Sequence, residues 1–186
     1  MNEERNRVCP VELAGSLDTK IRKWFQNPKK ILAPVIKKGM KVLDVGCGPG
    51  FFTIEIAKMV GNHGKVFAVD LQEGMLQKIR DKIKGTPLEG IIKPIKCELN
   101  EINIPEKVDF ILAFYMVHEV PEKDKLFESF KNILNERGKL LIVEPKLFHV
   151  SKEAFALTIG KAEKIGFKVS QGPKLPFSFS SFLTLA

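Results

Sequence analysis

Residues 41–52 read KVLDVGCGPGFF. Lys41 to Val45 is a short, mostly apolar run of the kind that forms a buried strand. Gly46-Cys47-Gly48-Pro49-Gly50 follows it. Phe52, Ile56, Met59 and Val60 then recur at i, i+4, i+7 and i+8, one face of a helix. A strand that runs through a glycine-rich turn into a helix is a nucleotide-binding unit, because the turn lets a ligand approach the helix N-terminus. A dinucleotide fingerprint, G-x-G-x-x-G, would place its third glycine at position 51, which is Phe51. A phosphate-cradling Walker loop needs Gly-Lys-Ser/Thr, and the chain has no such run.

Outward from that turn, strand and helix patterns alternate. Gly61 and Gly64 stop the helix, and KVFAVD at Lys65–Asp70 reads as a second strand. Met75, Leu76, Ile79 and Ile83 stripe a second helix, closed by Gly85 and Pro87. IIKPIKC at 91–97 is a third strand, and Pro94 suits the edge of a sheet. VDFILAFY at 108–115 is apolar enough to be covered on both faces. Leu126, Phe130, Ile133 and Leu134 mark the next helix, which the pattern ends at Gly138, before a fifth strand, KLLIVEP, at 139–145. Ser151 and Gly166 suit the two caps of a last helix. FKVS and PFSFSSFLTLA alternate apolar and polar residues and predict an antiparallel hairpin. Phe177, Phe179 and Phe182 read as core. The alternation predicts a doubly wound α/β sheet, with ligands bound outside the carboxyl ends of its strands.

The 186 residues suit one domain, and residues 1–27 differ in kind. Leu13, Leu17, Ile21, Trp24 and Phe25 have helical spacing, which suits either a lid over the site or a helix packed on the sheet. Residues 28–186 carry the remaining pattern. The net charge is +8, but the densest basic clusters, Lys29-Lys30 and Lys37-Lys38, are only pairs, so a nucleic-acid partner is disfavoured. Three scattered cysteines (Cys9, Cys47 and Cys97) give no metal-ligand spacing and fit a reducing, cytoplasmic setting. The opening MNEERNRVCP lacks the apolar core of a secretory signal, and no apolar run is long enough to span a membrane.

Two carboxylates narrow the choice of nucleotide. Asp44 lies two residues before Gly46, where a negative charge opposes a pyrophosphate but favours an amine or a sulfonium. Asp70 ends the second strand, where a carboxylate can accept hydrogen bonds from both ribose hydroxyls. Asp70 also suits the cap of the following helix. Ribose without phosphate, beside a cation, describes S-adenosylmethionine.

VLDVGCGPG, VFAVDL and KLLIVEP resemble motifs of the class I S-adenosylmethionine-dependent methyltransferases. The nearest branch is that of ubiquinone/menaquinone-biosynthesis methyltransferases and the type 11 methyltransferase domain. The resemblance covers residues 28–186. It implies a three-layer, Rossmann-like sheet of seven strands in the order 3-2-1-4-5-7-6, with an antiparallel last hairpin. By the same resemblance Asp44, Gly46, Cys47, Gly48 and Gly50 line the methionine half of the cofactor, and Asp70 and Leu71 take the ribose. Glu98, Leu99 and Met75 meet the adenine, and Ala113 and Phe114 touch the methionine part. His118 and Glu119 fall near the acceptor mouth, with Glu144 on the same rim. His118 and Glu144 are the candidate catalytic residues, and each also suits a structural role.

Methyl transfer is an in-line attack on an already activated carbon, so alignment and exclusion of water supply most of what the protein must provide. Within this fold, enzymes that methylate nucleic-acid amines carry Asn/Asp-Pro-Pro-aromatic after strand four. Here Ala113-Phe114-Tyr115-Met116 stands there. The Pro-Cys of cytosine-carbon methylators is absent. Phe114 occupies the place of the Asp of metal-dependent catechol-type enzymes, so no metal site is expected. The expected activity is methyl transfer to a small, apolar acceptor. The competing readings are an RNA or protein methyltransferase and a non-catalytic S-adenosylmethionine-binding subunit. An NAD-dependent oxidoreductase is disfavoured by Phe51 and Asp44.

Overall fold

The computed structural model describes residues 26–98, 102–146 and 150–186. A short helix, α1 (Pro28–Leu32), is capped by the Asn27 side chain, which accepts from the Lys29 and Lys30 N–H groups. Then come β1 (Lys41–Val45), α2 (Phe51–Val60), β2 (Lys65–Asp70), α3 (Glu73–Ile83) and β3 (Ile92–Lys96). The chain continues through β4 (Val108–Phe114), α4 (Lys123–Ile133), β5 (Leu134–Pro145), α5 (Lys152–Ile165), β6 (Phe167–Gln171) and β7 (Ser178–Leu185).

The seven strands form one sheet in the order β3-β2-β1-β4-β5-β7-β6. Only β7 runs antiparallel, pairing with β5 on one side and β6 on the other. The order and the antiparallel hairpin are those implied by the resemblance. Pro94 lies on the edge strand β3, where its missing N–H costs least. Ser151 accepts from Ala154 N–H at 3.1 Å, and Gly166 ends α5 at φ 106°, so both expected caps are present.

Alternate residues of each strand feed two apolar layers. Val42, Val66, Ala68 and Leu112 pack under α1, α2 and α3 on one face. Leu43, Phe67, Ile111 and Ile142 pack under α4 and α5 on the other. The central strands are therefore buried on both sides, as their unbroken apolar runs require.

Two expectations are corrected. The helix predicted to run through Leu134 to Gly138 ends at Ile133, and Leu134 already pairs with Val108. The next ladder pair is Phe110 with Lys139, so β5 spends five residues where β4 spends two. Gly138 sits inside this irregular stretch, where a Cβ would lie 2.7 Å from Leu134 Cδ1. The second correction is Phe177, which is not core but 62% exposed in the loop before β7. Its φ of +55° turns the chain there, and its carbonyl accepts from Lys146 N–H at 2.8 Å.

Candidate active site

The carboxyl ends of β1, β2, β4 and β5 bring Asp44, Asp70, Phe114 and Glu144 to one end of the sheet. Asp44 is buried and accepts a 2.6 Å hydrogen bond from Thr53 Oγ1 in the first turn of α2. The strand thus presents a carboxylate under the glycine turn and the helix fixes its orientation.

The turn itself needs its glycines. Gly46 has φ 63°, and a Cβ on it would lie 2.9 Å from Met116 Cβ, so β4's exit packs directly over it. Gly48 has φ 52°, and a Cβ there would meet nothing within 4 Å. Its backbone faces open space, as a ligand-contacting turn must. Lys82 of α3 holds the turn from outside, donating to the Pro49 carbonyl at 2.7 Å.

Asp70 serves the turn and the approach to the following helix together. Oδ2 accepts from Gly48 N–H and Oδ1 from Gln72 N–H, both at 2.9 Å. Burial raises its pKa, against the pull of the backbone N–H groups of Gln72, Gly48 and Leu71. The alternative expectation, that Asp70 caps α3, is corrected: the N-cap is Gln72, whose side chain makes no capping bond, and Asp70 accepts only from the Gln72 N–H just before the helix. Each carboxylate oxygen has two lone pairs, so these two bonds leave acceptor capacity for a ribose.

Cys47 and Cys97 flank these carboxylates. Burial, then the charges of Asp44 and Asp70, push the Cys47 thiol well up. Burial raises Cys97 to about 12. Both are protonated at neutral pH and poor nucleophiles. Cys97 N–H donates to the Asp70 carbonyl at 3.1 Å, which sets Glu98 just beyond the β2 end, exposed. Leu71 is half-buried, and Met75 is buried beneath the start of α3. Leu99, Cys9, His149 and the residues before Gln26 lie outside the described residues.

Ala113 and Phe114 are buried at the end of β4. The Phe114 ring lies 4.3 Å from the Phe52 ring and 4.6 Å from the Tyr115 ring, centroid to centroid. Tyr115 adopts φ 60°, uncommon for a side chain of this size, and its N–H donates to the Val143 carbonyl at 2.8 Å. Its hydroxyl pairs with Ser178 Oγ at 2.5 Å and accepts from Gln26 Nε2 at 2.8 Å.

The structure joins His118 to Glu144. Glu144 Oε2 bonds His118 Nδ1, and Oε1 accepts from Val117 N–H at 2.9 Å. Glu144 is 1% exposed, whereas His118 is only half-buried. Burial lowers the His118 pKa, but the hydrogen bond and charge of Glu144 outweigh it, and the net shift is upward. Glu119, next along the chain, rises to about 7 through burial and the charges of Glu144 and Asp70, against the pull of His118. Among the described residues, no group of three His, Cys, Asp or Glu side chains is placed to hold a metal ion.

Sequence reasoning missed Thr53, Lys82 and Ser178. Thr53 had a signal, a hydroxyl in the first turn of the helix after the buried Asp44. Lys82 and Ser178 had none, because their partners are distant in the chain.

These features fit S-adenosylmethionine: an open glycine turn, a buried carboxylate beneath it and a second carboxylate with spare acceptor capacity. Known proteins agree. A family model described as "Methyltransferase domain" matches residues 36–170. The ubiquinone/menaquinone biosynthesis C-methyltransferase UbiE of Yersinia pestis (strain Pestoides F) is 29% identical over 140 residues, covering 73% of this chain. The chain spans 56% of that relative's length. A SAM-dependent methyltransferase from Aquifex aeolicus superposes with a TM-score of 0.86 at 29% identity, covering 96% of this chain and all of the other. A TehB-like SAM-dependent methyltransferase from Corynebacterium glutamicum shares the fold, with a TM-score of 0.70 at 16% identity over 94% of this chain and 93% of its own. The glycopeptide N-methyltransferase MtfA, a fold neighbour at 11% identity, was solved with sinefungin; its TM-score is 0.72 over 87% of this chain and 86% of its own. The chain belongs to the methyltransferase-domain family, that of the class I S-adenosylmethionine-dependent methyltransferases.

Proposed function

We propose that this protein transfers the methyl group of S-adenosylmethionine to a small, largely apolar acceptor by in-line displacement. One observation carries the reading. The acid-flanked glycine turn and the His118–Glu144 pair open at the same end of the sheet, beside the Phe52–Phe114 pair. When bound, the cofactor supplies a methyl group already activated on a sulfonium. Asp44 favours that positive charge. Asp70 and Leu71 take the ribose, and Glu98, Leu99 and Met75 border the adenine. Gly46, Cys47, Gly48 and Gly50, with Ala113 and Phe114, line the methionine half.

His118 is the proton acceptor for a nucleophile that must lose a proton. Glu144 holds Nδ1, which leaves Nε2 as the atom that receives the proton. Phe52 and Phe114 make an apolar wall that excludes water. Residues 1–27 serve as the lid and 28–186 as the catalytic domain; the bond from Gln26 to Tyr115 supports that placement. A quinol-type ring, the chemistry in the name of the Yersinia relative, is the first acceptor class to screen. The setting is the cytoplasm. None of the described helices is long and apolar enough to cross a membrane.

Calorimetric titration with S-adenosylhomocysteine, with NAD in a parallel cell, tests the cofactor. Binding of the first alone is expected, and binding of NAD instead overturns the reading. Turnover is then measured on a panel of small phenols, quinols and thiols against bulk tRNA. Methylation of tRNA with none of the small molecules would overturn the acceptor class.

A further inference from the structure

The loop between β6 and β7 bounds an open groove of about 530 Å³ near the carboxyl end of β5. That volume suits part of a small organic molecule. Its lining includes Lys146, Lys174, Leu175, Pro176, Ser178 and Phe179 and, among the described residues, no acidic one. The groove adjoins the reactive end of the sheet at two points. Lys146 lies two residues after Glu144, about 7 Å along the strand direction. Ser178 bonds the Tyr115 hydroxyl, which leads to Phe114.

The groove is preformed. Ser180 Oγ donates to the Pro173 carbonyl at 2.6 Å, and Gly172 N–H to the Ser180 carbonyl at 3.4 Å. Pro173 and Pro176 fix φ within the loop. Lys146 Nζ stands 4.8 Å from the centre of the Phe179 ring, which stacks in turn on Phe155 at 5.3 Å. Among the described residues, neither Lys146 nor Lys174 has a carboxylate partner. One ammonium group over an aromatic ring and a second in the same lining, with no counter-charge among the described lining residues, favour a ligand that is flat or apolar and ends in an anion.

We propose that this groove takes an anionic oxygen group, carboxylate or phosphate, on the methyl acceptor. Lys146 and Lys174 supply the attraction and Phe179 the apolar contact. The acceptor is then an apolar body with an acidic handle, held with its nucleophile toward His118 and its anion toward the hairpin loop. The proposal rests on the methyltransferase reading and names the substrate class for that same site.

The test is a pair of measurements on the full chain. Calorimetry with S-adenosylhomocysteine comes first. Amide NMR titrations of the loaded protein follow, with 4-hydroxybenzoate, phenyl phosphate and neutral 4-hydroxybenzamide as probes. The expected result is that the Lys174 and Ser178–Ser180 amides shift with at least one anion at a midpoint tenfold or more below that of the amide. Which anion does so separates the carboxylate from the phosphate source. The double variant Lys146→Gln, Lys174→Gln should abolish the preference and leave S-adenosylhomocysteine affinity within twofold. Both lysines are exposed, so the variant keeps the fold. Equal midpoints for the three probes, shifts confined to other regions, or an unchanged preference in the double variant would each overturn the groove assignment. Failure to bind S-adenosylhomocysteine would instead overturn the methyltransferase reading, and with it the groove's role as an acceptor subsite.

Discussion

Asp70 divides its carboxylate between the protein and the ligand proposed for it. Replacing it with alanine removes two ribose hydrogen bonds, each worth about 0.5–1.5 kcal/mol net. Affinity for S-adenosylhomocysteine should fall roughly 5- to 150-fold by calorimetry. An unchanged affinity would take Asp70 out of the site. His118 gives a second test. Its folded pKa is raised, so the stabilisation it shares with Glu144 is fully present below its ordinary value of 6.5 and is lost as pH rises through the raised value. Its neutral form, the one that accepts a proton, appears over the same interval. Turnover of an acceptor that must be deprotonated should therefore climb through a limb above pH 6.5. In Glu144→Gln the His118 ring resonance should titrate at a lower pH than in the parent, because the burial that opposes the charge remains and the carboxylate that favours it is gone. A titration identical in the two proteins would show that Glu144 does not set the base. Glu119, raised to about 7 mainly by burial, changes its own charge near neutral pH and adds a second titration close to this pair.

One hydroxyl joins the first turn of α2 to the end of β1. Thr53→Val keeps the shape of the side chain and strips the 2.6 Å bond from the buried Asp44. A hydrogen bond to a charged group is worth about 1.5–3 kcal/mol. For a chain of this length that lowers Tm by roughly 3–12 °C in calorimetry. A variant melting with the parent would mean that Asp44 finds a replacement partner. The strands most readable in the sequence were those buried on both faces. Lys41–Val45 and Lys65–Asp70 have the limits that the apolar runs imply, since only a strand satisfies backbone and side chains there together. The start of β5 was unreadable. Leu134 continues the helical apolar stripe, yet pairing with Val108 outweighs the local pattern. The glycine turn and its two acids were legible because their chemistry is local. The Glu144 bonds to His118 and Val117 were not, because they span 26 and 27 residues.

Tyr115 ties the N-terminal segment to the C-terminal hairpin. Its hydroxyl meets Gln26 on one side and Ser178 on the other. Tyr115→Phe should remove about 1–3 kcal/mol if both bonds are lost. It should also speed dissociation of S-adenosylhomocysteine in stopped-flow measurements, since the proposed lid loses its tether. An unaltered dissociation rate would assign residues 1–27 to packing on the sheet instead. The formal charge of +8 is spread over the surface, so retention on immobilised RNA should be weak and lost at modest salt.

The insertion of β7 between β5 and β6 has a consequence for biosynthesis. The outer edge of β5 exists once Pro145 is made, but the strand that covers it is complete only at Leu185, 40 residues later. At about 5–20 residues per second a ribosome needs roughly 2–8 s to make that stretch. For those seconds Leu140 to Val143 present an apolar, unpaired edge, the kind of template on which nascent chains aggregate. Stalling in the α5 to β6 region should therefore release insoluble chains, whereas stalling after Leu185 should not.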